Sequence, residues 1–170
     1  MFVSPTPVPD QIRRQAAERL QKLVSSGYVL FLVAHEAHLN VEGPLFSVLH
    51  ELFKKVYEAA LELVDKLSER VATLGGRARV TSILSGQLAV DSPESWDGLA
   101  LCAHVQKALI RYVAVLDESF RALDALGLTA DANVLQNAVT AMEFLGFQIG
   151  KHVVVASPAA STRAEDRRAS

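Results

Sequence analysis

Only one of the 170 residues is a cysteine, Cys102. A lone thiol cannot close an intrachain disulfide, and there is no thiol cluster for a structural zinc site, so a reducing cytoplasm is the expected compartment. A basic excess is also missing: 17 Lys and Arg face 19 Asp and Glu, for a formal charge of −2 and a pI of about 6.2. That balance excludes the overall positive field of a nucleic-acid binder and leaves only a local patch to touch phosphates. Long apolar runs are absent too. The longest, Tyr28 to Ala34, falls far short of the roughly 18 residues of a membrane span, and His35 and Glu36 follow it, so no membrane partner is expected. No basic stretch precedes a long apolar one at the N-terminus, so no secretory signal is expected. What is present is 50% hydrophobic and 21% charged, enough for one packed domain.

Prolines at 5, 7 and 9 mark a flexible arm over residues 1–9. From there Ile12, Ala16, Leu20, Leu23, Val24, Phe31 and Leu32 recur at helical spacing, predicting a first helix over about 10–38. Asn40 to Pro44 reads as a turn, with Pro44 suited to a first helical position. A second helix then carries Leu45, Leu49, Leu52, Val56, Ala60, Leu63, Leu67, Val71 and Leu74 on one face, and Gly75-Gly76 stops it. Residues 77–92 form a connector that holds one short helix, after which Asp91-Ser92-Pro93-Glu94 reads as a helix cap followed by proline. The third helix runs through Leu99, Cys102, Val105, Leu109, Tyr112, Leu116, Phe120 and Leu123 to Gly127. Thr129 is the expected cap of a fourth, which runs through Leu135, Met142, Ile149 and Val153 to Ser157-Pro158. The polar segment 157–170 has no period and is expected to be a disordered tail, leaving 10–156 as the domain.

Four long amphipathic helices make an all-α antiparallel four-helix bundle the expected architecture. The connector between the second and third helices is long enough to run the length of the bundle, as a ferritin-like crossover requires.

The polar side of the second helix carries His50, Lys54, Glu58, Glu62, Asp65 and Glu69, with His38 at the end of the first. Two imidazoles and several carboxylates suit a borderline-hard metal, with Fe(II) the leading redox candidate. A run of acids on a helix is also what an ordinary solvated face looks like, and residue types alone do not choose. Spacing narrows the metal reading. Asp65 and Glu69 share a face, but Asp65 is fifteen residues from His50, ~22 Å along one helix, so the four cannot bind one ion within a single chain. If all four are ligands, the acids come from a second copy packed antiparallel across a two-fold axis. The Glu-x-x-His pairs of an intrabundle di-iron site occur nowhere in the chain.

The segment His38-Leu39-Asn40-Val41-Glu42-Gly43-Pro44-Leu45-Phe46, then Leu49-His50-Glu51-Leu52-Phe53 and Tyr57, resembles the signature of the Dps proteins, the miniferritins. The match continues through Asp65, Ser68-Glu69-Arg70 and Leu74-Gly75-Gly76. It is close over the first two helices and extends to the last two in length and pattern. The resemblance implies a ferroxidase centre made by His38 and His50 of one subunit with Asp65 and Glu69 of its two-fold partner. It also implies iron nucleation at Glu51, an iron-entry pore lined by Asp131, peroxide or oxygen as oxidant, and a hollow dodecamer storing ferric mineral.

Two positions depart from the pattern. Lys54 stands where the family has an aspartate beside the second iron, and Leu39 stands where it tends to have tryptophan. Lys54 is therefore a candidate modifier of the second iron position. His35, one turn before His38, is either an extra ligand or a structural histidine. For His104 and His152 a structural or surface role is expected, and Cys102 is expected in the core. The rival functions are a DNA-binding, nucleoid-associated shell with little oxidation chemistry, and a shell buffering zinc or manganese at the same site. The arm has no Lys or Arg, and the tail sets Arg163, Arg167 and Arg168 against Glu165 and Asp166, so weak or no DNA binding is expected.

Overall fold

A computed structural model describes residues 4–80 and 92–153. Among these residues there are four helices and no strand: α1 (Asp10–Asn40), α2 (Phe46–Thr73), α3 (Gly98–Ala125) and α4 (Thr129–Gly150). The short helix expected on the connector, and the tail, fall on or among residues outside the described ones.

Contacts between the helices fix their directions. On α1, His38 lies beside His50 of α2, while Gly27, three turns earlier, lies beside Val64. Partner numbers rise as α1 numbers fall, so α1 and α2 are antiparallel. The same holds for α1 and α3, where Leu23 meets Tyr112 and Arg19 meets Glu118. Helices α2 and α3 are therefore parallel, and the end of α2 and the start of α3 lie at opposite ends of the bundle. This is the ferritin-like connection, in contrast to an up-down bundle.

One continuous core fills the bundle, built from the apolar stripes of all four helices. Leu20, Leu30, Leu49, Phe53, Leu67, Leu101, Leu109, Leu116, Leu135 and Met142 are among its most buried side chains. Helix α3 is long and apolar enough to cross a bilayer by length and composition alone; its stripe of Leu101, Val105, Leu109 and Leu116 lies in this core. At Gly27 side chains of α2 and α3 press against α1: a Cβ there would lie 2.6 Å from Val64 Cγ2 and 2.8 Å from Tyr112 Oη. The Tyr112 hydroxyl donates to the Leu23 carbonyl at 3.3 Å, and burial pushes its pKa above the ordinary range. Cys102 is fully buried as expected, and burial, reinforced by the Asp97 charge, raises its thiol pKa to about 11.

Four boundaries differ from the sequence reading. Helix α2 starts at Phe46 with Leu45 as its N-cap, so Pro44 stands in the turn before the helix and not at its first position. Helix α3 starts at Gly98, several residues after the Ser-Pro cap, because Asp97 takes the capping role and accepts from Leu99 N at 3.0 Å and Ala100 N at 3.4 Å. A tertiary pairing sets that start: Glu42 N donates to Trp96 O at 3.1 Å, and Glu42 and Asp97 form an isolated parallel bridge. Helix α4 is capped at Leu128, with no side-chain bond from Thr129. It also ends at Gly150, short of Ser157, in a tightened turn where His152 N donates to Ile149 O at 2.9 Å. The stop after α2 is as expected, with Gly75 at φ +87° where a side chain would be strained. Residues 4–9 run along the bundle, Ser4 Oγ donating to Thr73 O at 2.7 Å and Arg13 to Val8 O at 2.7 Å.

Candidate metal centre

The five-residue connection 41–45 folds α2 back on α1 and sets His38 against His50. Gly43, at φ +96°, makes the reversal possible. The two imidazoles stack with centroids 3.7 Å apart and planes at 26°. His38 Nδ1 donates to the carbonyl oxygen of His50 at 2.8 Å, and His50 Nδ1 donates to the carbonyl oxygen of His38 at 2.9 Å. Because a carbonyl only accepts, both Nδ1 atoms must carry the proton. Each Nε2 is then left with its lone pair, the arrangement in which a second hydrogen bond orients a metal-binding imidazole.

Aromatic rings extend this pair in both directions. Phe46 lies 5.1 Å from His50, His35 lies 6.3 Å from His38 with planes at 16°, and Phe31 stacks on His35 at 5.4 Å. Tyr57 stands edge-on to His38, His35 and Phe31 at 5.2, 4.9 and 6.0 Å. The sequence reading quoted Tyr57 without giving it a role. Its signal was spacing: seven residues from His50, two turns along the same face.

The acids lie elsewhere on the subunit. Asp65 and Glu69 are exposed on α2, as is Glu51 beside His50, and among the described residues no three His, Cys, Asp or Glu side chains come together as a metal site. Lys54 is half-buried and, among the described residues, has no ion-pair partner. Near the histidines in the chain, Leu39, Leu45, Phe46 and Val48 are exposed, interspersed with exposed Glu36, Asn40, Ser47 and Glu51. Asp131 is turned inward. It is 2% exposed in the first turn of α4 and accepts a 2.7 Å hydrogen bond from Arg70 Nε, a partner 61 positions away that the sequence reading did not assign. His104 on α3 and His152 after α4 are half-buried and stand apart from the pair.

A family model described as a ferritin-like domain matches residues 17–140. The chain belongs to the ferritin-like family. Within it the chain is a Dps-type miniferritin. Over 65 residues it is 40% identical to the DNA protection during starvation protein of Brevibacillus brevis, covering 38% of this chain and 44% of that one. The matched stretches span about half the length of the first curated relatives. Among solved structures, a Dps of Mycobacterium smegmatis superposes with a TM-score of 0.82 at 23% identity, covering 92% of this chain and 96% of that one. The Dps of Vibrio cholerae O1, described as a member of a broad superfamily of ferritin-like diiron-carboxylate proteins, gives 0.78 at 17% identity, covering 89% and 98%. These likenesses establish the fold of the miniferritin.

Proposed function

We propose that this miniferritin subunit assembles into a closed homo-oligomeric shell, a dodecamer, that takes up Fe(II), oxidises it at sites shared between subunits and stores the ferric product inside. The reciprocal Nδ1–carbonyl bonding of His38 and His50 carries the reading, because it leaves two neighbouring Nε2 donors fixed in place. Fe(II) is the substrate. The imidazoles bind it by nitrogen, and Asp65 and Glu69 of a second copy supply the charge that favours Fe(III). Two observations support the sharing. Within one subunit both acids are exposed and lie ~22 Å or more along α2 from His50, and the exposed large apolar side chains Leu39, Leu45, Phe46 and Val48 suit cover by another copy. Two ferrous ions each give up one electron, and one hydrogen peroxide is reduced to two hydroxides as its O–O bond breaks. Oxygen is the slower alternative oxidant. Hydrolysis of Fe(III) then releases protons and builds oxyhydroxide, beginning at acids such as Glu51.

The relatives' name speaks of DNA protection. For this chain the net acidic charge favours protection by removing iron and peroxide in the cytoplasm, with DNA contact weak or absent. The proposal is tested by anaerobic Fe(II) titration of the assembled protein, followed by peroxide. Saturable ferrous binding and a rapid ferric absorbance are expected, both lost in His50→Gln. Equal binding and rate in that variant would sink the assignment.

A further inference from the structure

We infer that the cavity between α1 and α3 is a binding site for a small amphipathic monocarboxylate of the fatty-acid kind, its apolar body held between the helices and its carboxylate at Lys107 and Arg111. The site shares no residue with the histidine pair or its aromatic neighbours, and the inference does not rest on the metal reading.

The cavity holds about 240 Å³. Val29, Leu30 and Val33 of α1 and Ala108 and Val115 of α3 form its apolar walls. Tyr112 lines it too, with its hydroxyl committed to the Leu23 carbonyl; burial keeps that phenol protonated, so it brings no negative charge. Lys107 and Arg111 complete the α3 side. Both are exposed, so their stems lie along the walls while their charged ends stand where the cavity opens to water. Half-buried His104 lines it one turn before Lys107 on the same helix face.

Charge is segregated here. The chain is net acidic, yet no Asp or Glu occurs on α1 from Arg19 to His35 or on α3 from Gly98 to Leu116. The two helices facing the cavity therefore give it a positive potential. The next cavity along the same groove is different: Glu18 and Glu118 line it together with Arg19 and Lys22, and Arg19 donates to Glu118 at 3.3 Å. There cations and acids alternate, whereas the first cavity is lined by cations and apolar groups alone. Such a lining repels a metal ion. It also rejects a wholly polar anion, whose oxygens would lie unhydrated against valine and leucine. An apolar body ending in one carboxylate suits both parts, since the Arg111 guanidinium offers paired N–H donors to the two oxygens and each methylene buried tightens binding about fourfold.

The competing explanation is a packing gap whose rim is basic by chance. Calorimetric titration of the assembled full-length protein with octanoate separates the two. We expect one octanoate per subunit, with hexanoate and octanol each bound about tenfold more weakly, and with acetate and inorganic phosphate unable to displace it. Lys107→Gln combined with Arg111→Gln changes only exposed side chains and should weaken octanoate about tenfold. Ala108→Phe fills the cavity and should abolish binding; if that variant does not assemble, Val115→Phe closes the same space from a more exposed position. No saturable octanoate binding, or octanol bound as tightly as octanoate, overturns the inference. Displacement by phosphate overturns it too, by reducing the site to a basic patch. Binding that survives the charge and filling variants places the acid elsewhere on the shell and has the same effect.

Discussion

Gly27→Ala should destabilise the bundle even though it replaces glycine with the best helix former. In a helix interior that exchange alone favours alanine by about 1 kcal/mol. The added methyl, however, would lie 2.6 Å from Val64 Cγ2 and 2.8 Å from Tyr112 Oη, where carbon atoms ordinarily sit about 3.5–4.0 Å apart. Three helices meet at this point, so relief requires moving α2 or α3 by the better part of an ångström. Overpacking of this kind costs about 1–3 kcal/mol, and losing the Tyr112 hydrogen bond to the Leu23 carbonyl costs about 1 kcal/mol more. The net expectation is a loss of about 1–3 kcal/mol, a fall in melting temperature of about 2–12 °C for a chain of this size. Urea and thermal unfolding at one fixed protein concentration measure it, since assembly also contributes to stability. The decisive comparison is the double variant with Val64→Ala, which removes the clashing Cγ2 and lets the new methyl occupy its space. It should be more stable than the sum of the single effects by about 1 kcal/mol. Strict additivity, or a Gly27→Ala chain as stable as the parent, would refute the close approach as the reason for glycine.

Arg70→Met should cost more than Asp131→Asn, at about 3–5 kcal/mol, because it strands a carboxylate that is 2% exposed, whereas the arginine left by the second change still reaches water; the reverse order in urea midpoints contradicts the buried lock. Asp97→Ala should lower stability by about 1 kcal/mol through loss of the α3 cap, and an unchanged melting curve would show that the bridge to Glu42 alone holds this start. The Cys102 thiol has its pKa raised by burial from 9.0 to about 11, so between those values the folded state keeps a proton that the unfolded state loses, and stability falls as pH rises through that window. Cys102→Ala should flatten that part of the pH profile, and a profile identical to the parent's counts against the burial argument. Lys54→Asp should tighten ferrous binding and speed peroxide-driven oxidation, and unchanged isotherms and rates would show that the ammonium points away from the ions.

The helices were legible because their apolar stripes repeat over many turns, as in Leu49, Leu52, Val56, Ala60 and Leu63 of α2. Where a boundary depended on distant chain, local rules misplaced it. Ser92-Pro93 has good capping chemistry, yet the pairing of Glu42 with the Trp96–Asp97 backbone puts the start of α3 at Gly98. The candidate ligands could be named from spacing and resemblance, but their tautomers could not, since the acceptor of each is the other histidine's backbone carbonyl and carbonyls leave no mark in a sequence. Arg70 and Asp131 look like unrelated surface charges until the α2 and α4 ends are brought together.

The two imidazoles belong to neighbouring helices joined by five residues, so a short loop closure suffices to place them, and that closure is entropically mild. On the proposed reading, the acids arrive by a different route, from a second chain, at a cost that depends on concentration. The nitrogen half of the centre is thus a property of one folded hairpin, and the oxygen half a property of association. Dilution of the shell, or damage to the apolar rim of Leu39, Phe46 and Val48, would therefore strip away metal affinity while His38 and His50 kept their positions. A released subunit would hold a pair of oriented imidazoles and no means of retaining ferrous ion, so iron would be taken up only where a shell exists to contain its product.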